Sequence, residues 1–323
     1  PGPHSVMHPW RALGYLAAAV LAGYFAWFLA GSIDMAMLES AMSPKLLAAL
    51  ALSAVMYASI IPITGWAWRR LLSGQGERWR ISWLTALLAA TQLAKYVPGN
   101  IAQHASRAAL AMRGGMAGRS LVSTVAQETI LAAAASVVVG VLMYAISAPG
   151  AGRLPDDARA GLLWLGPLLG LAFVALASVR ISPQHASASS HRLIRLLGRM
   201  GGLPGARVAL PAFAAYVLNY LLIGIGLWVV ARASGMPSAL DFPLVTAAFA
   251  LSWLVGFLAP GAPAGLGVRE GIMVVLLSGA ADNAQLLVFV LLARLVTMLG
   301  DACNFLIGSA WLAVDQSKGN AVS

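Results

Sequence analysis

The chain has 323 residues, of which 60% are hydrophobic and only 10% are charged. Soluble domains carry about 25% charged residues, and a mean hydropathy of +0.81 would leave most of a soluble surface apolar. The net charge of +10 favours basic loops on one side of a membrane over binding to nucleic acid. Composition therefore indicates an all-α integral membrane protein.

The apolar residues form long blocks. Residues 1–6 read as a remnant of cloning, and we expect 7–323 to form a single membrane domain. Six blocks reach the length of about 20 residues that a helix needs to span a bilayer. In chain order they are 12–31, 46–68, 120–147, 160–179, 207–231 and 284–312.

Two further blocks, 81–97 and 242–259, are shorter, and each ends in a Pro-Gly pair. A more polar helical stretch follows each pair, at 100–112 and 265–278. Short, interrupted apolar segments of this kind are typical of re-entrant hairpins or broken helices.

The two Pro-Gly sites have matching surroundings. Arg107 follows Pro98, and Arg269 follows Pro260, by nine positions in both cases. The two arginines are 162 positions apart, and the same offset maps the block that begins at Leu46 onto a later apolar block. We therefore predict two similar halves, each with two spans, a re-entrant Pro-Gly hairpin and a third span.

The charges support an inverted arrangement of these halves, 7–150 and 151–323. If each hairpin returns to the side from which it enters, each half crosses the membrane three times and the halves have opposite orientation. One side then receives Arg11, Arg69, Arg70, Arg78, Arg80, Arg113, Arg119, Arg180, Arg192, Arg195, Arg199 and Arg207. The other side receives few basic residues, diluted by acidic ones. This bias predicts that both termini are cytoplasmic in a bacterial inner membrane.

A rival topology lets both arms of the hairpins cross the membrane. It requires the stretch 98–112 to span, but this stretch is short and carries Gln103, His104 and Arg107. Polar and charged side chains are costly in the hydrocarbon region, which argues against this topology.

Charged side chains at membrane depth are candidates for function. They are Lys95, Arg107, Glu128, Arg269, Glu270, Arg294 and Asp301. The alternative is that they form internal ion pairs that fix the helix packing. Arg294 and Asp301 lie seven residues apart on the last helix, two turns from each other, so we do not expect them to be in direct contact.

A Pro-Gly pair at membrane depth starts a new helix there. Proline stops the entering helix, glycine lets the chain reverse, and the first amides of the new helix have no intrahelical partner. These amides and the positive end of the helix dipole favour a phosphate or a carboxylate, although Asn100 and water could satisfy the amides alone. We predict that the two breaks build one cationic cavity near the midplane.

The candidate lipid- or phosphate-binding residues are Lys95, Tyr96, Pro98, Gly99, Asn100, His104, Arg107, Pro260, Gly261, Gly265, Gly267, Arg269, Glu270 and Arg294. Glu128 and Asp301 are predicted to be fixed counter-ions or proton sites. The chain has no Walker A sequence, no His-Glu-x-x-His and no Gly-x-Ser-x-Gly, and its histidines lack metal-like spacing. No cofactor or metal site is predicted.

The stretch Lys95-Tyr96-Val97-Pro98-Gly99-Asn100 and the stretch from Pro260 to Gly271 together resemble the lysylphosphatidylglycerol synthase transmembrane family. The likeness covers nearly the whole chain after Met7. The first motif is similar to the family pattern (K/R)Y-x-PG and the second to PGG-x-G-x-RE, although Ala262-Pro263-Ala264 lengthens the second.

This resemblance implies a bacterial or archaeal flippase-like membrane protein. In the best-known members the membrane unit is fused to a cytoplasmic aminoacyl-transfer domain. Because the chain ends at Ser323, just past the last span, we expect a stand-alone member without that domain. The resemblance then implies the lipid-translocating part, and the lysyl-lipid substrate is not carried over.

The function predicted from the sequence is translocation of an anionic phospholipid or a polyprenyl-phosphate-linked lipid by alternating access, driven by a gradient or by coupled ions. Two alternatives stay open. One is an intramembrane transferase that modifies a lipid head group, with Glu128, Glu270 or Asp301 as base. The other is a non-transporting membrane partner of a separate glycosyltransferase or synthase. Small-residue faces such as Ala132–Ala135 fit either a homodimer or packing within the monomer.

Overall fold

The computed structural model describes residues 43–97, 102–147, 205–259 and 263–317, with scattered helical positions between 157 and 170. Residues 1–6, the predicted span 12–31 and most of 160–179 lie outside the described residues. The described part is helical and has no β-strand. Its helices are α1 (Pro44–Ala58), α2 (Ile60–Ser73), α3 (Ile81–Ala90), α4 (Ala102–Arg113), α5 (Gly118–Ile146), α6 (Ala206–Ala233), α7 (Phe242–Leu258), α8 (Val268–Leu277) and α9 (Asn283–Ser317), with short 3₁₀ helices at Gln92–Tyr96 and Pro263–Gly265.

Four stretches are long and apolar enough to cross a membrane. They are Pro44–Ser73, Gly118–Ile146, Ala206–Ala233 and Asn283–Asp315. They confirm four of the six spans that the sequence predicts, and the other two fall largely outside the described part. The chain is therefore a helical membrane protein.

The first of these spans is interrupted between α1 and α2, at Ser59. Pro62 has no amide hydrogen to donate to the carbonyl of Ala58, four residues earlier. Asn304 of α9 satisfies this carbonyl, because its Nδ2 donates to Ala58 O at 3.3 Å. The break in the first span is thus stabilised by the last helix.

One end of the bundle gathers the end of α2, the start of α3, the end of α4 and the start of α5. The Nε2 of Gln75 donates to Ser123 Oγ at 2.6 Å, and a Cβ added to Gly114 would lie 2.5 Å from the ring of Trp83. The start of α6 also lies here, because Gly74 packs on Val208. The described arginines of the predicted cytoplasmic side therefore share this end: Arg69, Arg70, Arg78, Arg80, Arg113, Arg119 and Arg207.

The opposite end gathers the start of α1, the end of α6 and the start of α7. Lys45 and Arg232 line one groove, and the rings of Trp228 and Phe242 are 6.5 Å apart. Helix α9 connects the two ends, since Trp311 near its C-terminus packs with the aromatic cluster at the arginine-rich end.

The two helical hairpins consequently start from opposite ends of the bundle. The pair α3–α4 leaves from and returns to the arginine-rich end, whereas α7 starts at the other end and α8 leads back to the start of α9. Helices α3 and α8 have 10 residues each, about 15 Å at 1.5 Å per residue, which is half of a hydrocarbon core about 30 Å thick. The opposed entry agrees with an inverted topology. Re-entry into a bilayer and the complete inverted repeat stay predictions.

The structure shifts the predicted boundaries at the two breaks. Helix α3 ends at Ala90 and the chain continues as a 3₁₀ helix, where the sequence suggested one block to residue 97. Helix α8 begins at Val268, later than the predicted 265. The reason is the backbone before it: φ is 49° at Ala264, 71° at Gly265 and 79° at Gly267, in the left-handed region that an α-helix excludes.

The small-residue face of α5 packs inside the chain. Ala135 is completely buried, and Ser136 Oγ donates to Ala250 O of α7 at 2.7 Å. One turn on, Gly140 lies directly against the side chain of Leu251. This face of α5 packs against α7 of the same chain. It therefore gives no support to a homodimer, which stays a prediction.

Candidate functional site

A cavity of about 240 Å³ lies in the centre of the bundle, next to the point where the two 3₁₀ helices meet. Ile60, Ala132 and Asn219 line it, and each of these residues lies near the middle of its long span. The cavity is therefore far from both ends of the bundle. Residues of both hairpins contribute to its wall.

The predicted site residues divide into three groups. Those that line the cavity are Lys95, His104, Arg107, Glu128, Gly265 and Arg269. Those placed behind or beside its wall are Tyr96, Gly267, Glu270, Arg294 and Asp301. Those outside the described residues are Pro98, Gly99, Asn100, Pro260 and Gly261. The binding roles assigned to all of them stay predictions.

Arg107 is held between a carboxylate and an aromatic ring. Its Nη2 lies 2.6 Å from Glu128 Oε2, and its guanidinium stacks 3.7 Å from the ring centroid of Trp68. The indole of Trp68 is fixed in turn, because its Nε1 donates to Thr124 Oγ1 at 3.0 Å. With 3% of its surface exposed, Arg107 is fixed in place.

Lys95 also has a carboxylate partner. Its Nζ lies 2.7 Å from Asp301 Oδ1, and the hydroxyl of Tyr96 donates to Asp301 Oδ2 at 2.7 Å. Lys95 Nζ donates in addition to Tyr57 Oη at 3.3 Å. Asp301 is completely buried, so this network seals the carboxylate behind the cavity wall and ties the first hairpin to α9.

Arg294 ties the second hairpin to α9. Its Nη1 lies 3.5 Å from Glu270 Oε1 and donates to the carbonyl of Ala264 at 3.4 Å. Its guanidinium also lies 5.4 Å from the ring of Tyr96 in the first hairpin. Arg294 and Asp301 thus have separate partners, as their spacing on the helix indicates.

Arg269 differs from these three cations. Among the described residues, no carboxylate lies within ion-pair distance of its guanidinium. The guanidinium stands 5.0 Å from the ring centroid of Phe249 and lines the cavity. Arg269 lies in the first turn of α8 and lines the cavity. The positive end of the α8 helix dipole therefore also lies beside the cavity.

Two glycines make room for the Arg269 side chain. A Cβ added to Gly265 would lie 2.8 Å from the Cγ and Cδ of Arg269, and a Cβ added to Gly256 would collide with the same methylenes. The backbones of Gly256 and Gly265 also pack on each other at this point. The sequence pattern predicted Gly265 as a site residue, but it did not indicate that Gly256 of α7 makes room for Arg269.

The charges gathered in this region do not cancel. Lys95, Arg107 and Arg294 each have a carboxylate partner, and Arg269 carries the remaining positive charge. An unbalanced cation facing a cavity attracts an anion, because the surrounding protein has a low dielectric constant. The geometry therefore suits one anionic group.

Several cavity residues were not predicted because they are uncharged. Tyr216, Asn219 and Tyr220 line one side from α6, and Trp253 and Phe257 line another from α7. The tyrosines and the asparagine in the middle of this otherwise apolar span could have indicated a site, since polar groups at membrane depth need partners.

The family comparison agrees with the resemblance. The sequence pattern of the family described as "Lysylphosphatidylglycerol synthase TM region" matches residues 13–302, a stretch that contains both hairpins and every residue of the cavity. The chain belongs to this family. No curated protein matches the chain. Membership makes it a membrane protein related to lipid modification or translocation.

Proposed function

We propose that the chain translocates a lipid with an anionic phosphate head group across the bacterial inner membrane, and that Arg269 binds the phosphate in the central cavity. The observation that carries this proposal is the Arg269 guanidinium, which faces the cavity with no carboxylate partner among the described residues. Arginine donates parallel hydrogen bonds that match the oxygens of a phosphate.

The rest of the cavity wall supports an anion at this position. Lys95 and Arg107 line the same space, whereas Glu128 is the one carboxylate among the described lining residues. Because Glu128 is already bonded to Arg107, it does not compete with the ligand for Arg269.

The size of the cavity fits a head group rather than a whole lipid. Pockets that enclose drug-sized ligands measure about 300–1,000 Å³. A volume of about 240 Å³ accepts a phosphate with a small attached group, so the acyl or polyprenyl chains stay in the surrounding lipid. Such a division suits a protein that moves a head group while the tails remain in the bilayer.

The opposed hairpins support alternating access. Helix α3 reaches the cavity from the arginine-rich end and α7 reaches it from the other end, and the 3₁₀ helices that follow them meet beside the same head-group space. Rocking one half of an inverted pair against the other would open this space to each side in turn. In the proposal the arginine-rich end is cytoplasmic.

The geometry supports a transferase less well. A general base must reach the proton it abstracts, directly or through one water. Asp301 and Glu270 do not line the cavity, and Glu128 is held by Arg107 at 2.6 Å. The proposal therefore assigns the carboxylates to charge pairing.

The test is lipid translocation by the purified chain in proteoliposomes. A tail-labelled fluorescent phosphatidylglycerol is quenched from outside, and the protected fraction reports movement between leaflets. We expect movement with the wild-type chain, at least tenfold slower movement with Arg269→Gln, and no change with Arg113→Gln, whose arginine is exposed at the end of α4. Equal rates for Arg269→Gln and the wild type would contradict the assignment of Arg269. No movement above empty liposomes would favour the partner-protein alternative.

A further inference from the structure

Besides Arg107, three polar side chains of the cavity each have a buried atom without a hydrogen-bond partner. Tyr216 Oη, Asn219 Oδ1 and His104 Nδ1 are buried and make no hydrogen bond within the described part of the chain, and all three side chains line the cavity. Tyr216 is 4% exposed and Asn219 is 7% exposed. Leaving a buried polar group unpaired is unfavourable, so these groups are suited to a polar ligand.

The chemistry of these atoms differs from that of a phosphate site. A phosphodiester offers only acceptors, whereas the Asn219 carbonyl oxygen needs a donor. Asn219 Nδ2 is occupied, since it donates to Thr64 Oγ1 at 3.0 Å. Reversing the amide would leave the nitrogen facing the ligand instead, and a hydroxyl group pairs with either atom because it both donates and accepts.

A cationic ligand group fits this wall less well than a hydroxyl. Arg107 and Arg269 both line the cavity, and they would repel an ammonium group. The only carboxylate among the described lining residues, Glu128, is already paired with Arg107. An uncharged group that carries hydroxyls avoids this repulsion and still satisfies Tyr216 and Asn219.

A flat apolar wall stands next to these polar groups. The rings of Trp253 and Phe257 are stacked with centroids 5.4 Å apart and an interplanar angle of 8°, and Tyr220 meets Trp253 edge-on at 5.7 Å. All three line the cavity. A face of C–H groups, as a polyol ring presents, packs on such a surface while its hydroxyls point to the polar side.

We infer that the lipid head group carries an uncharged, hydroxyl-bearing unit, a polyol or a sugar, attached to the phosphate, and that Tyr216 and Asn219 bind its hydroxyls. The two residues lie three apart on α6 and therefore share one face of that helix. This inference rests on the proposed function, because it uses the phosphate at Arg269 as the anchor.

The experiment measures lipid binding to the full chain in nanodiscs with two probes that share a phosphodiester charge. Phosphatidylinositol has hydroxyls on its head group and phosphatidylmethanol has none. We expect the wild type to bind phosphatidylinositol about tenfold more tightly, as two hydrogen bonds would provide. Tyr216→Phe should weaken phosphatidylinositol about fivefold and leave phosphatidylmethanol unchanged. Tyr144→Phe, a matched variant outside the cavity, should change neither.

The outcomes separate the inference from the proposed function. Equal binding of both lipids by the wild type, weakened for both by Arg269→Gln, would overturn the hydroxyl inference and leave the phosphate site standing. Binding of neither lipid above phosphatidylcholine, with no effect of Arg269→Gln, would overturn the proposed function itself. The comparison of the two lipids on the wild type needs no variant to fold.

A further arm identifies the source of the head group. A polyprenyl-phosphate-linked hexose presents the same phosphate and hydroxyls on a different tail. Tighter binding of this probe than of phosphatidylinositol would support the inference and assign a polyprenyl carrier, whereas the reverse order would support it and assign a phospholipid. Failure of both probes to exceed phosphatidylmethanol would contradict it.

Discussion

The two hairpins carry arginines at matching positions, nine residues after a proline, yet the two arginines have different surroundings. Arg107 is enclosed by Glu128 and Trp68, whereas Arg269 faces the cavity and has no carboxylate partner in the described part of the chain. The offset of 162 that relates the arginines places Val290 where the first half has Glu128, and Val290 is a buried core residue. Similar halves thus supply one neutralised arginine, which holds the structure, and one that remains for a ligand.

The largest expected effect is on the neutralised arginine. Glu128→Gln leaves Arg107 buried without a charged partner, and we expect the free energy of unfolding to fall by about 3 kcal/mol. Equilibrium unfolding in mixed detergent measures this change. Glu77→Gln is the control, because the amide oxygen of the new side chain can still accept from Trp79 Nε1, and it should cost less than about 0.5 kcal/mol. An unfolding free energy equal to wild type for Glu128→Gln would show that Arg107 does not depend on this pair.

The next effect concerns the space that Arg269 needs. Gly265→Ala puts a Cβ against the Arg269 methylenes and on a backbone with φ of 71°, and we expect it to cost about 2 kcal/mol of stability and to weaken lipid binding. Gly271→Ala is the matched control, since nothing lies within 4 Å of its added Cβ and the residue is in α8. It should leave binding intact and raise stability by about 0.5 kcal/mol. Identical behaviour of the two variants in unfolding and binding would rule out the proposed role of Gly265.

A smaller effect separates the two arginines by function. Arg269→Gln should weaken binding of an anionic lipid about tenfold, or about 1.4 kcal/mol, with unfolding free energy within about 1 kcal/mol of wild type. Arg107→Gln should lower the unfolding free energy more than it weakens lipid binding, because it leaves Glu128 without its partner. Lipid titration and unfolding of both variants measure the two quantities. Equal losses of binding for the two variants would remove the distinction drawn above.

The last prediction concerns topology rather than stability or binding, and it tests whether the two hairpins enter from opposite ends of the bundle. In a Cys303→Ala background, Arg113→Cys and Ser278→Cys place single thiols at the exposed ends of α4 and α8. A membrane-impermeant maleimide added to cells and to inverted vesicles should label them from opposite sides of the membrane. Labelling of both positions from one side would contradict the inverted arrangement.

Much of the fold follows from the sequence because the solvent of a membrane helix is the lipid itself. A span must be apolar over about 20 consecutive residues, and this requirement is visible in the chain. The four described spans lie within a few residues of their predicted bounds. The Pro-Gly pairs also predicted that one helical segment ends before each pair and another begins after it, and the described segments on either side agree.

The tertiary structure decided which charges cancel. Lys95 and Asp301 meet across 206 positions of sequence, and no local pattern specifies such a pair. The same holds for Gly256, whose role depends on the Arg269 side chain that packs against it from α8. It also holds for Tyr216 and Asn219, which matter because other helices enclose the cavity that they line. The sequence by itself determined the four described spans, the interruptions of the two hairpins and the charged residues that gather at the cavity. Only the packing of distant segments, which brings charges within the range where they interact strongly, decided that Arg269 remains available.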